Sequence, residues 1–216
     1  MAETLKVDPT APQPERIARA TELIRQGQVV AIPTDTLYGL AADPFQPAAV
    51  EQVFTAKGRP PDAPVLLFVD SMEMAAGLSK NLPSSFHALA KRYWPGPLTI
   101  VIEASERIPA IVTANTGRVG VRLPAAAVPR AIVGASGGPI TGTSANRSSR
   151  PECRNAAEVQ DSLGDFLPLI LDGGPSQETI PSTVISLRSE SWELIREGAI
   201  RRTELEAFFR EMTAGD

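Results

Sequence analysis

Apolar positions along this chain follow two rhythms. Ile17, Ala20, Leu23 and Ile24 recur at helical spacing within residues 14–26, and Gly27 follows where a helix end favours glycine. Val50, Val53 and Phe54 repeat that rhythm over residues 46–57, closed by Gly58. Residues 71–78, 83–93, 126–133 and 155–163 read as further helices, and Thr203-x-x-Glu206 reads as the capping box of a last one. The second rhythm is a set of short apolar runs, over residues 29–33, 65–69, 98–103, 119–123, 139–143 and 167–171, which read as strands. Residues 183–187 and 192–196 lie close enough in sequence to form a hairpin. A hairpin cannot be parallel, so the sheet is expected to be mixed and the class α/β or α+β.

The chain has 216 residues, 43% of them hydrophobic, which suits one domain with a proper core. That domain is expected over residues 15–216. Residues 1–14 hold Pro9, Pro12 and Pro14 and no continuous apolar run, so they are expected to form a flexible arm. Cys153 is the only cysteine, which leaves no internal disulfide and no multi-thiolate zinc site. No apolar run reaches the roughly 18 residues of a membrane span, so a soluble, cytoplasmic protein with no membrane partner is expected. A net charge of −4 and 5% aromatic residues argue against strong autonomous binding of nucleic acid.

The candidate chemistry is narrowed first by what is missing. His87, the only histidine, lies beside the apolar line Leu82, Phe86, Leu89 and Tyr93, and is expected on the surface. Histidine-based nucleophilic catalysis would have to use it. The chain has no Walker A sequence, no Gly-x-Gly-x-x-Gly after a strand and no zinc-ligand spacing. Positioning and charge are left to do the chemistry.

Thr34-Asp35-Thr36 follows a strand that Pro33 should end, and strand ends in open α/β sheets commonly hold ligands. The same triplet also suits a cap or a turn. In Lys57-Gly58-Arg59-Pro60, the proline pushes Arg59 toward extended chain, where residues two apart share a side. That pair reads as a phosphate clamp or as a solvated basic helix end. Ser144 and Asn146, after a strand and beside Ser148 and Ser149, read as an anion-holding segment or as an Asx/Ser turn. Arg118, Arg122 and Arg196 flank or end strands, and Ser182 precedes one.

These segments, taken in order, resemble the YrdC/Sua5 family of threonylcarbamoyl-AMP synthases. The resemblance covers about Arg16 to Ile200 and rests on an ordered set of segments. The first are Pro33-Thr34-Asp35-Thr36-Leu37-Tyr38-Gly39-Leu40, Lys57-Gly58-Arg59-Pro60 and Trp94-Pro95-Gly96-Pro97-Leu98-Thr99. Val121-Arg122-Leu123-Pro124, Thr143-Ser144-Ala145-Asn146, Ser182-Thr183-Val184 and Arg196-x-Gly198 follow.

What the resemblance implies is a twisted, open, mixed α/β sheet flanked by helices around a deep, positively lined cleft. The implied reaction joins L-threonine, bicarbonate or CO2 and ATP into threonylcarbamoyl-AMP, with release of pyrophosphate. The product serves the threonylcarbamoyl modification of adenosine 37 in ANN-reading tRNAs, which a separate transferase complex completes. Mg²⁺ would arrive with ATP, without a protein metal cluster. By matching position, Lys57, Arg59, Ser144 and Asn146 would hold the nucleotide, with Arg118 and Arg196 assisting. Thr34, Arg122 and Ser182 would hold threonine.

The chain is expected to be the short, single-domain form of the family, and it departs from the family pattern at three further places. Ala63-Pro64 replaces the frequent Asn-Pro, Phe68 replaces a frequent histidine, and Ser148-Ser149 replaces Ser-Gly. The alternative reading is a non-synthase relative that binds nucleotide or double-stranded RNA in the same cleft.

Overall fold

The computed structural model describes residues 1–176, 178, 180–188 and 191–214. The chain begins with β1 (Glu3–Lys6), α1 (Pro14–Arg25), β2 (Val30–Ile32), β3 (Gly39–Ala41) and α2 (Pro47–Lys57). β4 (Leu67–Phe68), α3 (Met72–Gly77), α4 (Ser84–Tyr93), β5 (Leu98–Glu103), α5 (Ala110–Thr113) and β6 (Arg118–Arg122) follow. Then come α6 (Ala127–Ser136), β7 (Ile140–Thr141), β8 (Thr143–Ser144), α7 (Ala156–Leu163) and β9 (Leu169–Asp172). The hairpin β10 (Thr183–Arg188) and β11 (Ser191–Arg196), then α8 (Arg202–Ala214), complete the described chain.

The fold is α/β with mixed pairing, as expected, but the strands form two open sheets. One has the order β1-β9-β2-β3-β8 and the other β11-β10-β5-β6-β4-β7. The single strand expected over residues 139–143 is divided at Gly142: β7 pairs with β4 in one sheet and β8 with β3 in the other. The cause is local. A Cβ at Gly142 would lie 2.7 Å from the Phe68 ring, so only glycine lets the backbone cross there. Thr141 ties the sheets together as the chain passes. Its hydroxyl donates to the Leu40 carbonyl (2.8 Å) and accepts from the Ala42 amide (2.9 Å), and its own amide donates to the Ala42 carbonyl (3.0 Å).

Each sheet has its own helices. α1 and α6 pack on one face of the five-stranded sheet, with Ile17, Leu23, Ile24, Ile132 and Val133 against Val30, Leu169 and Leu171. α7 and one side of α2 cover the other face. The other side of α2 presents Val50 and Phe54 to the core of the six-stranded sheet, beside α3, α4, α5 and α8. α2 therefore lies across the junction and delivers its last residue, Lys57, to it.

Two expectations need correcting. Glu3–Lys6, assigned to a loose arm, is a strand parallel to β9, with Glu3 opposite Leu169 and Lys6 opposite Asp172. Its side chains are mostly exposed, so the missing apolar run reflects an edge strand held by backbone pairing. The capping box at Thr203 does not form, because Thr203 is already inside α8. Glu197 caps that helix instead, accepting from the Arg202 amide at 2.9 Å. The reciprocal cap lies at α7, where Asn155 accepts from the Glu158 amide and Glu158 from the Arg154 amide. No described helix is long and apolar enough to cross a membrane.

Candidate functional site

A cavity of about 470 Å³ opens between the two sheets. Every expected site residue except Arg118 lines it: Thr34, Lys57, Arg59, Arg122, Ser144, Asn146, Ser182 and Arg196. They come from the β2–β3 loop, the end of α2, the ends of β6 and β11, the β8 segment and the residue before β10. No two neighbouring elements could have assembled this set alone.

One end of the cleft is built on Lys57. The residue ends α2, and Gly58 behind it is left-handed (φ 63°, ψ 38°), which turns the chain so that Arg59 also lines the cleft. This left-handed turn, rather than continuous extended chain, is why both cations share the cavity. Lys57 Nζ lies 2.6 Å from the Ser144 carbonyl, 3.1 Å from that of Asn146 and 3.3 Å from Asn146 Oδ1. Ser144 Oγ donates to Asn146 Oδ1 (2.7 Å), and the Asn146 amide group donates to the Arg147 and Arg150 carbonyls. The 144–150 segment is thus a closed turn wrapped on one ammonium. The turn reading and the site reading of Ser144 and Asn146 are both realised. Burial, then the neighbouring Arg59 charge, lower the Lys57 pKa to about 8, so the group stays protonated at neutral pH. Arg59 stacks over the Phe54 ring (5.3 Å), and its Nε has no hydrogen-bond partner among the described residues.

The other end is built on Arg122, which is 2% exposed. Its Nε donates to the Gly96 carbonyl (2.9 Å) and Nη1 to Thr36 Oγ1 (3.2 Å). Nη2 lies 2.7 Å from Asp35 Oδ2, a close ion pair. Asp35 also accepts from the Ala125 amide, so it fixes the chain just after β6 as well as the guanidinium. Thr34 Oγ1 donates to the Leu37 carbonyl (2.6 Å) and accepts from the Thr36 amide (3.1 Å). The Thr-Asp-Thr triplet is therefore a turn that also faces the cleft. Ser182 Oγ meets Thr99 Oγ1 at 3.1 Å, and its carbonyl accepts from Nε and Nη2 of Arg196.

Arg118 lies apart from the cleft. One of its nitrogens donates to Ser186 Oγ and to the Val101 and Leu187 carbonyls, which laces β5, β6 and β10 together. His87 is exposed on α4, edge-on to Phe86. Pro64 lines the cleft and Ala63 does not. Phe68 sits 5.8 Å from the Arg122 guanidinium, a cation–π wall in place of a polar group. Asp35, Thr36 and Thr99 stood inside the recognised segments without an assigned role. Glu152 carried no signal, because a carboxylate in an arginine-rich loop reads as a solvated one.

Ser149 adopts φ 63°, a left-handed conformation that favours glycine. A non-glycine residue pays roughly 1–2 kcal/mol for that conformation, and glycine loses part of the gain to greater freedom when unfolded. Ser149→Gly is expected to raise the unfolding free energy by about 0.5–1 kcal/mol. Urea denaturation measures this directly, and an unchanged or lower midpoint would contradict the strain.

Fold and cleft together define an α/β protein with a cation-lined cleft between two sheets. The Sua5/YciO/YrdC family model, described as telomere recombination, matches residues 22–198, and the chain belongs to that family. A Pyrococcus abyssi protein named threonylcarbamoyl-AMP synthase is 38% identical over 197 residues, covering 91% of this chain and 58% of the relative. A Vibrio vulnificus (strain YJ016) protein of the same name is 34% identical over 184 residues, covering 84% of this chain and 98% of the relative. The crystal structure of P. abyssi Sua5 complexed with L-threonine superposes with a TM-score of 0.92 at 36% identity. That match covers 96% of this chain and 61% of that one. The chain thus spans about three-fifths of the archaeal relative.

Proposed function

We propose that the protein condenses L-threonine, bicarbonate or CO2 and ATP into threonylcarbamoyl-AMP with release of pyrophosphate. The observation that carries this reading is the division of one cleft into a two-cation end, Lys57 and Arg59, and a buried guanidinium end, Arg122. The first suits a polyphosphate and the second an amino-acid carboxylate. Relatives of the same name in an archaeon and a bacterium support the synthase over a relative that only binds nucleotide or RNA.

In the proposed reaction the threonine amine adds to CO2 and loses a proton, giving N-carboxythreonine. A carbamate oxygen then attacks the α-phosphorus, and the bond to the departing pyrophosphate breaks. The substrate supplies its own nucleophile, so no protein nucleophile is required, and the proton lost by the amine passes to bicarbonate or solvent. Lys57 and Arg59 would hold the phosphates and offset the charge that grows on the leaving group, with Ser144, Asn146 and Arg196 lining the nucleotide's path. Arg122 would pin the threonine carboxylate beside Thr34 and Ser182, so that the carbamate points at phosphorus. Mg²⁺ enters as part of the nucleotide substrate, and among the described residues no group of three or more acidic, histidine or cysteine side chains is placed to hold a metal. The product would pass to a transferase complex that modifies adenosine 37 of ANN-reading tRNAs in the cytoplasm.

Pyrophosphate release by purified protein tests this reading. Release is expected to require both L-threonine and bicarbonate. Release that ignores threonine, or none from folded protein that still binds ATP, would overturn the synthase reading.

A further inference from the structure

The cleft's positive lining contains one discordant group. Glu152 is the only carboxylate among the described residues that line it, in company with Lys57, Arg59, Asn146, Ser148 and Ser149. It is half-buried, and its charge is close enough to act on Lys57, yet no described residue gives it a hydrogen bond or an ion pair. Its neighbour Glu158 shows the contrast, since that carboxylate is spent on the Arg154 amide and Asn155 Nδ2 at the start of α7.

A carboxylate at the polyphosphate end opposes binding, because like charges repel strongly where water is partly excluded. A site shaped only for a free anion gains nothing from it. A divalent cation between carboxylate and phosphates turns both repulsions into attractions. Mg²⁺ is commonly held this way, by one or two carboxylates plus substrate phosphates while keeping several waters. The donors present suit a hard cation: one carboxylate, the Ser148 and Ser149 hydroxyls in the same lining, and neither thiolate nor imidazole among the described lining residues.

We propose that Glu152 supplies the protein's ligand to the divalent cation that accompanies the nucleotide, so that the cleft selects the metal chelate over free polyphosphate. This rests on the nucleotide reading of the cleft given above, and it makes Glu152 a selector of the substrate's metal form.

Calorimetric titration with α,β-methylene-ATP, in excess Mg²⁺ or in EDTA, separates the two claims without any turnover. The wild type is expected to bind about tenfold or more tightly with Mg²⁺ than without. In Glu152→Gln that ratio is expected to shrink to about threefold or less, mainly through tighter binding in EDTA once the repulsion is gone. Glu152→Asp, which keeps the charge, is expected to retain most of the ratio. Thermal unfolding of each variant checks that the fold is unchanged. A Glu152→Gln protein with the wild-type ratio would overturn the assignment and leave nucleotide binding standing. A wild-type protein that binds the analogue under neither condition would overturn both.

Discussion

Arg122→Met is expected to lower the unfolding free energy by about 3–5 kcal/mol, because it strands the Asp35 carboxylate beside the buried site. Arg122 is 2% exposed and Asp35 14%, so water does not replace the lost partner. The Gly96 carbonyl and Thr36 hydroxyl lose their donors in the same step. Total stability of a domain is only about 5–15 kcal/mol, so the variant should unfold at visibly lower urea. The double variant Asp35→Asn/Arg122→Met separates the causes. Removing the stranded charge should recover about half of the loss, while the carboxamide oxygen introduced there can still accept from the Ala125 amide. No recovery would mean that packing, not charge, sets the cost. Arg122→Lys keeps a cation but not the planar fork, and if Arg122 pins the threonine carboxylate as proposed, L-threonine is expected to raise the thermal midpoint of the wild type but not of this variant.

Lys57→Met is expected to cut kcat/KM for ATP by about 10²–10³-fold, the range seen when one preorganised stabiliser of transition-state charge is removed. The loss has two sources: the cation itself and the 144–150 turn wrapped on it. Their separation lies in pH. With its pKa at about 8, Lys57 in the free protein loses its proton as pH rises above 8, whereas the bound polyphosphate holds the proton on. Wild-type affinity for ATP is therefore expected to fall above pH 8, with proton uptake on binding, and Lys57→Met should lack that fall. Stability moves the other way. The unfolded chain holds this proton up to about 10.5 and the folded one only to about 8. Between those values the unfolded state binds more protons, so stability rises with pH across the window. Below pH 8 the buried charge is a constant penalty that the site carries. A pH profile for ATP binding that is the same in wild type and variant would remove Lys57 from the phosphate site.

Most of the site was legible because its residues sit next to backbone signals. Pro33, Gly58 and Pro60 announce where chain direction changes, and Thr34, Lys57 and Arg59 are their neighbours. Arg122 stood out as a charge within an apolar run, and burial against Asp35 explains why it is there. Arg118 gave the same signal from the same strand. Yet its guanidinium closes on Ser186 and Leu187, and sequence cannot tell a lacing between neighbouring strands from a cleft wall. Helices α1 and α2 follow their apolar periodicity closely. β1 was invisible because parallel pairing at a sheet edge needs no apolar pattern. The two-sheet arrangement was invisible because it depends on Gly142 meeting Phe68, a contact between residues far apart in sequence. The left-handed turn at Ser149 was likewise hidden by a side chain that does not favour it.

The division into two sheets also decides what the protein's own chromophores can see. Both indoles, Trp94 and Trp192, pack on the core of the six-stranded sheet, one donating to the Leu98 carbonyl and the other stacked on Phe209. The core of the five-stranded sheet contains neither. Tryptophan emission therefore monitors one half of the molecule, and loosening of the half that carries β1, β2, β3, β8 and β9, whose core holds Tyr38 but no indole, is silent in that signal. An unfolding curve followed by emission alone would count as native a chain whose Ser144–Asn146 wall had already come away.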